Sequence, residues 1–299
     1  MWWLPLRLSP HRLPLSVVIR VAAIGRGISV KFQIGLIGHQ QGRVFDQGVQ
    51  LAGTSLFGHG DPWECNLAYS ALPPQPGHPF GYDIQGCDLY ANVVYGARPS
   101  IVIGLTVTAV STVIAVTLGT VAGYLGGWVD VLYGRITDIF YGFPYMVAAI
   151  VLLTLIGNRS VMTVAMVLAA FSWPHTSRLM RGQVLSTKTM DYVQAARALG
   201  ASRRHIMRRH IIPNSISPVL VTAALSIGGT IAGEAGLTFI GVGLRMPTIS
   251  WGLQLSTAQK YFISSPHLLI YPALVLTLTV IAFTLIGDAI SEALDPKRH

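Results

Sequence analysis

The sequence predicts an all-α integral membrane protein, a bundle of five to six transmembrane helices, and three observations carry that prediction. Hydrophobic residues make up 52% of the 299-residue chain and charged residues only 11%, where a soluble domain carries about 25% charged residues. Five stretches are apolar over nearly the length a bilayer requires. The charges that remain are sorted by sign along the chain.

A hydrocarbon core of about 30 Å needs roughly 20 mostly apolar residues at the helical rise of about 1.5 Å. Residues 13–38 are the ambiguous stretch, because thirteen Leu, Ile, Val and Phe are interrupted by Arg20, Arg26 and Lys31. Each cation costs about 2.5–3.5 kcal/mol at a helix centre, and each large apolar residue returns only about 0.3–0.6 kcal/mol. The stretch is either a first membrane helix or no membrane helix at all. A cleaved signal peptide is not expected, since the apolar run before Arg20 is short and no small-residue cleavage site follows it. Residues 101–125 contain no charge, and 139–156, 160–177, 215–233 and 268–287 complete the set. Pro144, Pro174 and Pro272 inside these spans predict kinks rather than breaks, because neighbouring helices can satisfy the carbonyls that proline frees.

A net charge of +9 would point to nucleic acid if it covered a polar surface, but it does not. Eight cations and the single acid Asp191 give residues 178–209 a charge of +7, whereas five acids against Arg98 leave 44–98 at −4. The positive-inside rule places the basic segment in the cytoplasm, so the acidic one lies outside and the C-terminus inside. Both cysteines, Cys65 and Cys87, fall in the external segment; they either pair there or remain two thiols.

Inside the basic segment, Tyr192, Ala195, Ala196 and Leu199 recur at i, i+3, i+4 and i+7, which predicts a short helix with one small, apolar face. Asp191 is placed to cap it, Gly200 to end it, and Ser202 to cap a second helix that closes at Pro213-Asn214. Such a helix, turn and helix suits a groove on another protein; a basic loop held against anionic lipid is the competing reading. The pattern Gln194-Ala195-Ala196, Gly200, then Ile212-Pro213 resembles the Glu-Ala-Ala loop of ATP-binding cassette (ABC) importer permeases, the coupling helix that enters a cleft on the ATPase subunit. Gln194 stands where that family usually has glutamate, which puts in doubt any ion pair to the ATPase at this position.

The resemblance narrows further along the chain. His78-Pro79-Phe80-Gly81-Tyr82-Asp83 with Gly86 and Asp88, then Glu234-Ala235-Gly236-Leu237-Thr238-Phe239-Ile240-Gly241-Val242-Gly243 with Ser250-Trp251-Gly252, and finally Gly287-Asp288 with Leu294-Asp295-Pro296 resemble the dipeptide, oligopeptide and nickel branch. The resemblance implies a type I ABC importer permease: residues 1–60 a divergent N-terminal segment, 61–98 extracytoplasmic, 99–290 the permease domain with its coupling loop at 190–213, and 291–299 a cytoplasmic tail. It implies as partners ABC ATPase subunits, a second homologous permease, an extracytoplasmic solute-binding protein and membrane lipid, with a peptide or alternatively a nickel chelate as solute. No catalytic residue, cofactor or resident metal is implied, and the chain contains no G-x-x-x-x-G-K-[ST] phosphate loop. A lipid-modifying membrane enzyme would need acids or metal ligands gathered near the interface, which the sequence pattern does not supply. Glu234, an acid within an apolar run, is a candidate for translocation or for a structural role.

The orientation is directly testable. A His205→Cys variant should react with a membrane-impermeant maleimide only from the cytoplasmic face, and labelling from outside intact cells would reverse the topology.

Overall fold

The computed structural model describes residues 18–22, 29–33 and 62–294, and the chain divides into two compact units, residues 1–51 and 52–299. In the first unit, β1 (Val18–Ala22) and β2 (Ser29–Gln33) pair antiparallel, with Val18 opposite Gln33 and Ala22 opposite Ser29. The described part of 13–38 is therefore not a membrane helix. Its Val and Ile residues favour strands, and its cations tax any apolar helix.

The second unit is helical. Long helices are α1 (Leu89–Leu125), α4 (Val161–Thr187), α8 (Ser217–Phe239) and α10 (His267–Leu294). Shorter ones are α2 (Gly127–Gly142), α3 (Tyr145–Ile156), α5 (Asp191–Ala198), α6 (Arg203–Ile206), α7 (Ile212–Ser215) and α9 (Trp251–Ala258). By length and apolarity α1, α8 and α10 can each cross a bilayer, and α2 with α3 would add a fourth as one bent span. The helix α4 is 27 residues long, but Arg178 and Arg181 in its second half lower its apolarity.

The expected single span at 139–156 is corrected here. The axes of α2 and α3 differ by 81°, because Phe143 is extended (φ −108°, ψ 129°) and Pro144 starts a new helix. A residue before proline is driven out of the helical region. Pro174 and Pro272, by contrast, lie inside continuous helices as expected, and so does Pro99.

Lipid offers no hydrophobic driving force between helices, so small residues that let backbones approach decide the packing. The most extensive helix contact is α1 on α4, and it is built on Gly119 and Gly123. A Cβ at Gly119 would lie 2.6 Å from the Ser177 carbonyl oxygen, and one at Gly123 3.0 Å from that of Arg181. Gly228 and Gly287 let α8 and α10 meet in the same way. Only 6% of the apolar window of α10 is buried, against 33% for α1 and α8, so α10 presents most of its surface outward.

In the segment ahead of α1, Cys65 and Cys87 form a disulfide, which decides between the two readings of these thiols. Asp88 caps α1 by accepting from the Tyr90 and Ala91 amides at 2.8 and 3.2 Å, and it pairs with His78 Nδ1 at 2.6 Å. Asp83 accepts from the amides of Gln85 and Cys87 and from Asn92 Nδ2; burial nevertheless pushes its carboxyl above the usual range. The His-Pro-Phe-Gly-Tyr-Asp motif is thus a folded lid on the start of α1.

A Gly119→Val substitution should separate α1 from α4. The expected cost is about 1–3 kcal/mol or more for overpacking against backbone, read as earlier thermal unfolding of the detergent-solubilised protein.

Candidate coupling site

The helix α5 projects from the C-terminus of α4 and returns toward the membrane through α6, a π-helical turn at Met207–Ile211, and α7. Its start differs from expectation. The cap position is Met190, with no side-chain bond, and Asp191 is the first helical residue, where its charge favours the positive end of the helix dipole. The end matches expectation: Gly200 is left-handed (φ +81°), its amide reaches the Arg197 carbonyl at 3.0 Å, and the Ala201 amide reaches that of Ala196 at 3.1 Å. These two bonds make a Schellman turn. Ser202 then caps α6 by accepting from the His205 amide at 3.3 Å.

The face that holds α5 in place is carried by Val193, which is fully buried with Met180 and Val184 of α4, with Ile206 and Ile211 of the returning limb and with Val219 of α8. Ala196 and Ile212 pack against this cluster. Tyr192, Ala195 and Leu199 are exposed, Leu199 at 88%. The expected single face therefore splits: Ala196 turns inward, and its three companions face outward. The sequence reading passed over Val193, although a β-branched apolar residue among small ones was a usable signal.

Both limbs of the loop are tied to the end of α4. From the outgoing limb, Gln194 Nε2 donates to the Lys188 carbonyl at 3.0 Å. From the returning limb, Ser215 Oγ donates to Thr187 Oγ1 at 2.9 Å, and both residues are buried. Lys188 Nζ is itself engaged with the Gly123 carbonyl of α1 at 2.8 Å. Pro213 is exposed and has no amide hydrogen to give; nearby, Asn214 Nδ2 satisfies the His210 carbonyl at 2.6 Å. Higher up, Arg181 grips Asp130 of α2 through Nε and Nη2 at 2.5 and 2.6 Å. Asp138 pairs with Arg178 of α4 at 2.8 Å, although Arg135 stands three residues before it on α2.

Glu234 lies far from this loop in sequence, inside α8, with 0% exposure. Its Oε1 accepts from Thr238 Oγ1 at 2.7 Å, and that hydroxyl oxygen accepts from the Leu244 amide at 3.0 Å. The relay folds the segment after α8 back onto the helix end, where Gly241 (φ +82°) closes a second Schellman turn through the Thr238 and Leu237 carbonyls. The same segment reaches α1 through Trp251 Nε1 to the Val93 carbonyl (2.8 Å) and Gln254 Nε2 to the Asn92 carbonyl (2.7 Å).

With this geometry in hand, the comparisons with known proteins are specific. The family of binding-protein-dependent transport system inner membrane components matches residues 115–299. A glutathione transport system permease protein of Pectobacterium atrosepticum is 38% identical over 224 residues, 75% of this chain and 74% of its own length. An oligopeptide transport system permease protein of Haemophilus influenzae is 40% identical over 245 residues, 79% and 78% of the two chains. A dipeptide transport system permease protein of Alkalihalophilus pseudofirmus is 36% identical over 234 residues, 78% and 77%. Among solved structures, an inward-facing methionine ABC transporter superposes with a TM-score of 0.57 at 16% identity, over 68% of this chain and 96% of the other.

The bond from Gln194 to Lys188 requires a donor. A Gln194→Glu variant loses that donor and sets a carboxylate against carbonyls at the negative end of α4, at a combined cost of about 1–2 kcal/mol. Uptake per ATP hydrolysed should fall in Gln194→Glu and recover in Gln194→Lys, which keeps a donor.

Proposed function

The chain belongs to the family of binding-protein-dependent transport system inner membrane components, and from that premise we propose that it is a membrane-spanning subunit of an ATP-driven importer of short peptides, docked through α5 to a separate ATPase subunit. The peptide as solute is supported by the relatives, which are permeases for glutathione, oligopeptides and dipeptides. Energy enters from the partner, a solute-binding protein delivers the peptide from outside, and a second permease subunit completes the pathway.

The observation that carries the docking assignment is the outward face of α5. Tyr192, Ala195 and Leu199 are left in water by a helix whose opposite side is anchored through Val193. Withdrawing a leucine side chain from water contributes about 1.5–3 kcal/mol, so a groove that accepts this face gains most of its energy at Leu199. Asp191, Gln194 and Ala196 set the angle of the face rather than forming it, and Gly200 with Ile212 and Pro213 fixes the return.

Transmission follows from the ties at the end of α4. Closure of two ATPase subunits draws α5 inward, and a load on α5 passes through Gln194 and Val193 to α4 and from there across the glycine contact to α1. Glu234 serves structure in this scheme, since it is sealed from solvent and holds the external segment against α8.

Two variants test the assignment. In Gly200→Val a β-branched residue must adopt a left-handed conformation, at about 1–2 kcal/mol, with open space around it, so the protein should insert normally while α5 tilts. Ala195→Arg places a cation in the centre of the outward face. Both should reduce uptake at least tenfold and lower solute-stimulated ATP hydrolysis at unchanged membrane levels. Normal transport by both would remove α5 from the coupling path.

A further inference from the structure

We infer that the returning limb of the loop carries a binding site for a phosphate group, and that a lipid headgroup of the cytoplasmic leaflet fills it. Ser202, Arg204, His205, Arg208 and Arg209 line one open pocket on this limb. Four arginines fall within seven residues, 203–209, and the chain has no acid between Asp191 and Glu234. Among the described residues none of the four has an acidic partner. Like charges gathered this closely repel one another, and an anion from outside the chain relieves the repulsion.

The backbone explains the convergence. At Met207–Ile211 the helix widens to a π turn, with the Ile212 amide reaching the Met207 carbonyl five residues back. In a regular helix Arg204 and Arg208 share a face while Arg209 is turned about 100° away. The wider turn from Met207 to Ile211 reduces the rotation per residue and so lessens that divergence, and Arg209 lines the pocket with Arg204 and Arg208. Guanidinium groups are suited to this ligand, since their planar forks bind phosphate oxygens in pairs.

Position selects the source. Arg208 and Arg209 precede Ser217, the first residue of the span α8, by nine and eight residues, at most about 12–14 Å along the limb at 1.5 Å per residue. The headgroup layer is about 5–7 Å deep on each side of the hydrocarbon, and long arginine side chains bridge the remaining distance. The outgoing limb, with its apolar face, points to a protein groove; the returning limb has the composition of a site for anionic lipid.

The test uses the assembled transporter, extracted from membranes and placed in nanodiscs of phosphatidylcholine with or without phosphatidylglycerol. Native mass spectrometry should find phosphatidylglycerol retained through detergent exchange. Retention should weaken about a hundredfold in the triple variant Arg204→Gln, Arg208→Gln, Arg209→Gln, at about a factor of five for each charge near the membrane surface. Arg203→Gln, outside the pocket, serves as the control for folding and assembly. If millimolar inorganic phosphate alone binds the wild type and releases the lipid, the site stands with free phosphate as its source. Equal lipid retention by wild type and triple variant overturns the proposal. Loss of the ATPase subunit from the triple variant with lipid retention unchanged also overturns it, and assigns the arginines to a protein partner.

Discussion

The contact between the backbones of α1 and α4 at Gly119 and Gly123 is the constraint on which the rest of the helical unit depends. In lipid no apolar surface is gained by pushing two helices together, so the gain must come from dispersion at close range and from polar bonds that close approach permits. Both are present here. The Gly123 carbonyl is near enough for Lys188 Nζ, and the crossing leaves Arg181 in reach of Asp130 on the helix that follows α1. A larger residue at either glycine would lose these bonds together with the packing.

From that contact two routes lead to opposite ends of the helix pair. Downward, α4 ends in Thr187 and Lys188, which receive Ser215 from one limb of the loop and Gln194 from the other. Upward, α1 begins at the Asp88 cap and carries the Asn92 and Val93 carbonyls to which Gln254 and Trp251 are bound. The segment ahead of α1 and the loop after α4 are therefore fastened to the same pair of helices. Between these two sets of ties run α1 and α4 themselves, continuous helices held together at Gly119 and Gly123.

The apolar stretches that became α1, α8 and α10 and the turn at Gly200 were legible in the sequence because each is a local property. Hydropathy needs only a window, and Gly200 with Ser202 needs only the rules for helix ends. What was not legible depends on the fold. Period alone placed Tyr192, Ala195, Ala196 and Leu199 on one side of α5, but a helix with small residues all round does not declare which side it buries; Val193 does so once α4 and the returning limb are beside it. Asp138 had Arg135 at helical spacing, yet the partner that tertiary structure supplied is Arg178. Pro144 was read as a kink because membrane helices tolerate proline; the extended Phe143 before it made the site a corner instead. Gln194 looked like a departure from a family pattern, and only the position of the Lys188 carbonyl gives its amide a use.

The two Schellman turns, at Gly200 and Gly241, show one local device used at the ends of two different helices. Each has a left-handed glycine just past a helix end, at φ +81° and +82°, and each returns its two following amides to carbonyls of the last turn. Orphan carbonyls at a helix end must find donors, most urgently near lipid, where water is scarce. A turn that meets the need internally also fixes the direction in which the chain leaves. At Gly200 that direction aims the returning limb back along α4, so Val193 and Ile206 can close over Val184. At Gly241 it sends the chain toward Trp251 and the start of α1, and the buried Glu234 reinforces it by orienting Thr238 as acceptor for Leu244. At Gly200 the turn is surrounded by open space and is made by backbone bonds. The turn at Gly241 is likewise open at the glycine itself, while two residues on a Cβ at Gly243 would lie 2.0 Å from Thr238 Oγ1, so the segment leaving this turn is held by steric contact as well as by backbone bonds.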